Sequence, residues 1–145
     1  MPLTLIIGYG NTIRGDDGAG PRAVELLQAM VASPDVELLA LHQLTPELME
    51  PISRASRVIF IDAAAAGTPG EVRQRPVEPD RSSADFTHHA TPGALLAGAQ
   101  ALYGRAAEAY LITVTGGDFS LSSELTSLVS QSLDQVCATV LRLLP

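Results

Sequence analysis

Cysteine is nearly absent from this chain: Cys137 is the single one in 145 residues. One thiol closes no internal disulfide and builds no Cys-based metal centre. Its place in an apolar helical pattern reads as a buried, unreactive thiol. Tryptophan is missing and aromatics make up 4% of residues, so the core has to be aliphatic, which a hydrophobic content of 46% allows. Cations are scarce as well. Nine basic residues face sixteen acidic ones, for a net charge of −7. That balance excludes the cationic footprint that nucleic acid or an anionic membrane demands of a partner. No run approaches the roughly 18–20 apolar residues that span a bilayer. The N-terminus enters a strand-like stretch without a basic region or cleavage site, so no signal peptide is read and a cytoplasmic protein is expected.

What remains is the content of one ordinary domain, residues 1–145, without internal repeats. Residues 3–7 form a short apolar run closed by Gly8, the mark of a buried strand. A Gly- and Asp-rich loop, Gly8 to Gly20, follows, and Pro21 suits the first position of a helix. Residues 36–41 and 58–61 read as two more strands, with a helix opened by Thr45-Pro46 between them. A short edge strand is expected near Val72–Val77, inside a polar, proline-bearing stretch from Gly67 to Asp85 whose length suggests a functional loop. Thr91-Pro92 opens a helix of small residues to about Tyr103, residues 109–114 form another strand, and Ser122 is expected to cap a final amphipathic helix. This alternation predicts an α/β fold: one three-layer domain, a twisted, mostly parallel five-stranded sheet with helices on both faces.

In such sheets ligands bind outside the C-terminal ends of the strands. Three places qualify. The loop after the first strand carries Asp16 and Asp17, the third strand runs into Asp62, and His88 and His89 stand just before a helix start. Two carboxylates and an imidazole form an oxygen and nitrogen set suited to a divalent ion such as nickel or zinc. Each residue also has a plainer role: an Asp in a Gly-rich loop often closes an Asx-turn. A carboxylate ending a buried strand, by contrast, is costly to desolvate without a partner or a task. His42, also after a strand, is read as structural or as a support to the site residues. The loop Gly8-Tyr9-Gly10-Asn11-Thr12-Ile13 is not a dinucleotide fingerprint, because Ile13 stands where the third glycine is needed. P-loop, nucleophile-elbow and His-Glu-x-x-His signatures are absent too.

Gly8-Tyr9-Gly10-Asn11 followed by Gly15-Asp16-Asp17-Gly18-x-Gly20 resembles the N-terminal signature of nickel–iron hydrogenase maturation proteases. Val58-Ile59-Phe60-Ile61-Asp62-Ala63 is similar to their second motif, and Thr87-His88-His89-Ala90-Thr91-Pro92 to their histidine segment. Leu121-Ser122-x-Glu124-Leu125 fits as well, in the family's order. The resemblance implies an endopeptidase that removes the C-terminal extension of a hydrogenase large-subunit precursor once nickel is in place. It implies no organic cofactor; the nickel is presented by the precursor. The family's metal-contacting residues map onto Asp17, Asp62 and His89, with His89 preferred over His88 because it stands three residues before Pro92. The segment from Arg73 to Phe86 lies outside the pattern and is expected to bear on substrate choice. A non-proteolytic nickel chaperone or scaffold and a self-contained metal-dependent hydrolase are the alternative readings.

Overall fold

The computed structural model describes residues 3–81, 90–105 and 107–145. The first apolar run forms β1 (Thr4–Tyr9), buried on both faces as a central parallel strand must be. With β2 (Val36–Leu41), β3 (Arg57–Ala64), β4 (Val72–Val77) and β5 (Glu108–Thr115) it makes a five-stranded sheet in the order β2-β1-β3-β5-β4. The pairs β1–β2, β1–β3 and β3–β5 are parallel, and β4 lies antiparallel to β5 at the edge. The helices are α1 (Ala19–Met30), α2 (Met49–Arg54), α3 (Pro92–Tyr103) and α4 (Ser127–Leu143). This is the α/β architecture that the alternating pattern predicts.

The two-residue period of the strands sorts side chains between two cores. Leu5, Ile7, Val58, Phe60 and Leu111 point to the face covered by α2 and α3. Ile6, Ile59, Ile61, Ile112 and Val114 point to the face covered by α1 and α4, where Cys137 is also buried. Among the described residues Phe60 is the one aromatic ring that is fully buried, so both cores are aliphatic, as the composition requires. Burial of each such large side chain contributes about 1.5–3 kcal/mol.

Three local expectations are corrected. Asp62 does not follow its strand but lies within it, since β3 continues to Ala64 and pairs Asp62 with Thr113. Pro21 is the third residue of α1, still inside the turn whose N–H groups have no helical acceptor. Ser122 does not cap the last helix, which begins at Ser127. Ser122 is drawn instead into an extended bridge, its N–H donating to the Ile13 carbonyl (3.0 Å) and its carbonyl accepting from Gly15 N–H (2.9 Å). That pairing is incompatible with a helical turn. Thr91 does cap α3, its Oγ1 accepting the Ala94 N–H at 3.1 Å.

Candidate active site

The chain leaves β1 toward β2 on one side and returns to β3 on the other. The C-terminal ends of β1 and β3 therefore flank the point where the strand order reverses, the usual crevice of an open α/β sheet. Tyr9 ends β1 there, and Asp62 stands near the end of β3. Both side chains follow the strand parity of the α2–α3 face, Tyr9 after Leu5 and Ile7, Asp62 after Val58 and Phe60.

The Gly-rich loop brings Asp17 to the same place. Gly20 lies so close to the strand ends that an added Cβ would sit 2.5 Å from the Ile61 carbonyl oxygen and 2.6 Å from that of Tyr9. At Gly10, whose φ is +147°, a Cβ would fall 1.9 Å from the Asp17 carbonyl oxygen. These glycines serve close backbone approach, so that α1 starts directly against the sheet; they do not cradle a phosphate. Asp17, half-buried, accepts the Asn11 N–H at 2.7 Å, which fixes the carboxylate across the turn.

Asp17, Asp62 and Tyr9 form one electrostatic cluster. Burial pushes the Asp62 carboxyl up to about 6, with the Asp17 charge adding to the rise. The Ala63 N–H (2.8 Å) and the neighbouring Tyr9 hydroxyl oppose it by favouring the ionised form. Burial, and next the Asp62 charge, hold the Tyr9 phenol far above its ordinary range, so it stays protonated as a donor. A carboxylate that gains and loses a proton near pH 6 is matched to taking one from water near neutrality.

Asp16, the neighbour of Asp17, has a different occupation. It is fully buried and accepts four hydrogen bonds: from the N–H groups of Gly117 (2.8 Å), Asp118 (3.2 Å) and Thr126 (2.7 Å) and from the Thr126 hydroxyl (2.9 Å). It ties the loop after β1 to the loop after β5, and its four bonds give it a structural task. His42 is exposed at the end of β2. His88 and His89 lie outside the described residues. Among the described residues no three His, Cys, Asp or Glu side chains gather into a metal site. Asp17 and Asp62 are the carboxylates that meet at this edge of the sheet.

Tyr9 is the member of the cluster that the sequence reading left out. Its signal was present: two-residue parity from Leu5 through Ile7 places it on the Asp62 face, but its glycine neighbours made it look like a turn residue.

A family model described as hydrogenase maturation protease (HycI) matches residues 21–143. Among solved structures, the [NiFe] hydrogenase maturation protease HycI of Thermococcus kodakarensis superposes with a TM-score of 0.79 at 24% identity, covering 97% of this chain and 90% of that one. A hydrogenase 2 maturation peptidase from a Thaumarchaeota archaeon gives 0.75 at 26% identity, covering 97% and 96%. The hydrogenase maturating endopeptidase HybD of E. coli gives 0.77 at 21% identity, covering 97% and 90%. No match was found among curated proteins. The family match begins after Asp17, so the Gly-rich loop enters the likeness through the structures, which extend over nearly the whole chain.

Proposed function

The chain belongs to the hydrogenase maturation protease family, and we propose that it removes the C-terminal extension of a nickel-loaded hydrogenase large-subunit precursor. The family's members are peptide-bond hydrolases, which leaves a non-proteolytic scaffold or a self-contained small-molecule hydrolase without support. The observation that carries the proposal is the Asp17–Asp62–Tyr9 cluster: two carboxylates at the reversal point of the sheet, one of them poised near pH 6.

In this reading nickel is part of the substrate. The carboxylates of Asp17 and Asp62, with His89 as the expected third contact, recognise it when the precursor docks; oxygen and nitrogen donors of this kind suit a divalent ion. The approaching positive charge favours ionised Asp62. Asp62 then takes a proton from the attacking water, the hydroxyl adds to the scissile carbonyl carbon, and the C–N bond breaks as Asp62 returns that proton to the leaving amine. Tyr9 holds the Asp62 carboxylate in place through its hydroxyl. No helix among the described residues is long and apolar enough to cross a membrane, and in this reading the activity is cytoplasmic.

Incubating the precursor with the protein and following its intact mass tests the proposal. Loss of a single C-terminal peptide is expected; a precursor that keeps its full mass with an active metal centre assembling around it contradicts it.

A further inference from the structure

Among the described residues the α2–α3 face of the sheet is not covered evenly. At the level of Ile7 and Phe60 it is closed core. One side-chain repeat nearer the C-terminal edge, Asp62, Thr113 and Arg73 share a row across β3, β5 and β4. Here a groove of about 370 Å³ opens, floored by Ala64, Leu111, Thr113 and Thr115 and walled by Arg73 and Arg75. Strands about 4.8 Å apart put the Arg73 backbone about 10 Å from that of Asp62, and Arg75, one repeat back along β4, about 12 Å away.

The two arginines differ. Arg73 is neutralised by Glu71, Nε to Oε1 at 2.9 Å. Among the described residues Arg75 has no carboxylate within ion-pair distance, and its guanidinium reaches one backbone oxygen, that of Pro76, at 3.4 Å. An exposed cation with no ion-pair partner among the described residues stands out in a chain of net charge −7.

We propose that this groove is a specificity subsite for the precursor, in which Arg75 receives the carboxylate of an Asp or Glu side chain near the scissile bond. The proposal rests on the proteolytic reading. A span of about 12 Å corresponds to three or four residues of extended chain. The carboxylate created by cleavage arises beside Asp62, so the group that meets Arg75 is a side chain of the substrate. Pro76 and the exposed arginines of edge strand β4 discourage addition of a further strand, which makes side-chain recognition in the groove the means of discrimination. A planar guanidinium offers paired donors to a carboxylate in fixed geometry.

The test is the kinetics of precursor cleavage by wild type, Arg75→Gln and Arg75→Glu. The same enzymes are assayed on precursors in which each acidic residue within four positions of the cut is changed to Lys in turn. Arg75→Gln should raise KM about fivefold, the effect of losing one partly exposed ion pair, with the change carried by KM rather than kcat. Arg75→Glu should raise it further and regain efficiency on one Lys-substituted precursor, the one that wild type handles poorly. Unchanged KM in both variants, or a loss in Arg75→Glu that no Lys precursor rescues, overturns the subsite while leaving the protease intact. A wild-type protein that does not cut the precursor removes both.

Discussion

The Asp16 carboxylate holds Thr126 by two bonds at once, the backbone N–H at 2.7 Å and the hydroxyl at 2.9 Å, across 110 residues of chain. Its neighbour Asp17 turns the other way, toward Asn11 and the sheet edge. On the proposed function, two adjacent aspartates divide structure from chemistry, and the division can be measured. Asp16→Asn sets an amide donor against four donors and should cost about 2–4 kcal/mol in urea denaturation. Asp17→Asn, whose Oδ1 can still accept from Asn11, should cost under about 1 kcal/mol yet abolish cleavage. Equal stabilities for the two variants would remove the distinction.

Glycine at position 20 is required by backbone contact on two strands. Gly20→Ala should destabilise by about 3 kcal/mol or more, because the atoms a methyl would meet are carbonyls and an N–H that cannot move aside. Gly104→Ala is the control. Its φ is +75° with nothing within 4 Å of the added Cβ, so only the left-handed backbone opposes it, at about 1 kcal/mol. Comparable melting temperatures for the two would mean that α1 is free to retreat from the sheet.

Much of this arrangement was legible in advance because it depends on short-range order. The apolar runs that became β1, β3 and β5 were visible as such, and strand alternation with helices fixed the layers. Asp62 stood out because a carboxylate among Val58, Ile59, Phe60 and Ile61 is unusual wherever the strand ends. The role of Asp16 was not legible: its donors come from Gly117, Asp118 and Thr126, more than 100 residues later, and nothing local marks them. The same long-range tie moved the start of α4 from Ser122 to Ser127. Tyr9 was hidden by its glycine neighbours, although parity placed it. The assignment of His89 falls outside the described residues and stays a matter for mutation.

Asp62 should make the protein less stable as pH rises. Its folded value is about 6, against about 3.9 for an unfolded aspartate. Below pH 4 both states are protonated and nothing is lost. Between about pH 4 and 6 the unfolded chain ionises first, so stability falls with rising pH, and above 6 the loss is constant. Two units correspond to nearly 3 kcal/mol, reduced to about 2 kcal/mol by partial exposure. Asp62→Asn should therefore be the more stable protein at pH 7.5 by about that amount, with no gain at pH 4, while losing cleavage. Parallel stability profiles for variant and wild type would contradict a strained, functional carboxylate.

The two histidines are separable by single substitutions. His89→Ala should reduce cleavage of the precursor at least tenfold more than His88→Ala, the scale of losing one contact to a recognised ion, with little change in melting temperature for either. The reverse ranking would assign the third contact to His88.

The most direct measurement compares one precursor preparation in two states, nickel-loaded and nickel-free, by intact mass after incubation with the wild-type protein. If Asp17 and Asp62 read the substrate's nickel, the loaded form alone loses a single C-terminal peptide. Equal cleavage of both forms, or of neither, would contradict a nickel-gated endopeptidase built on this pair.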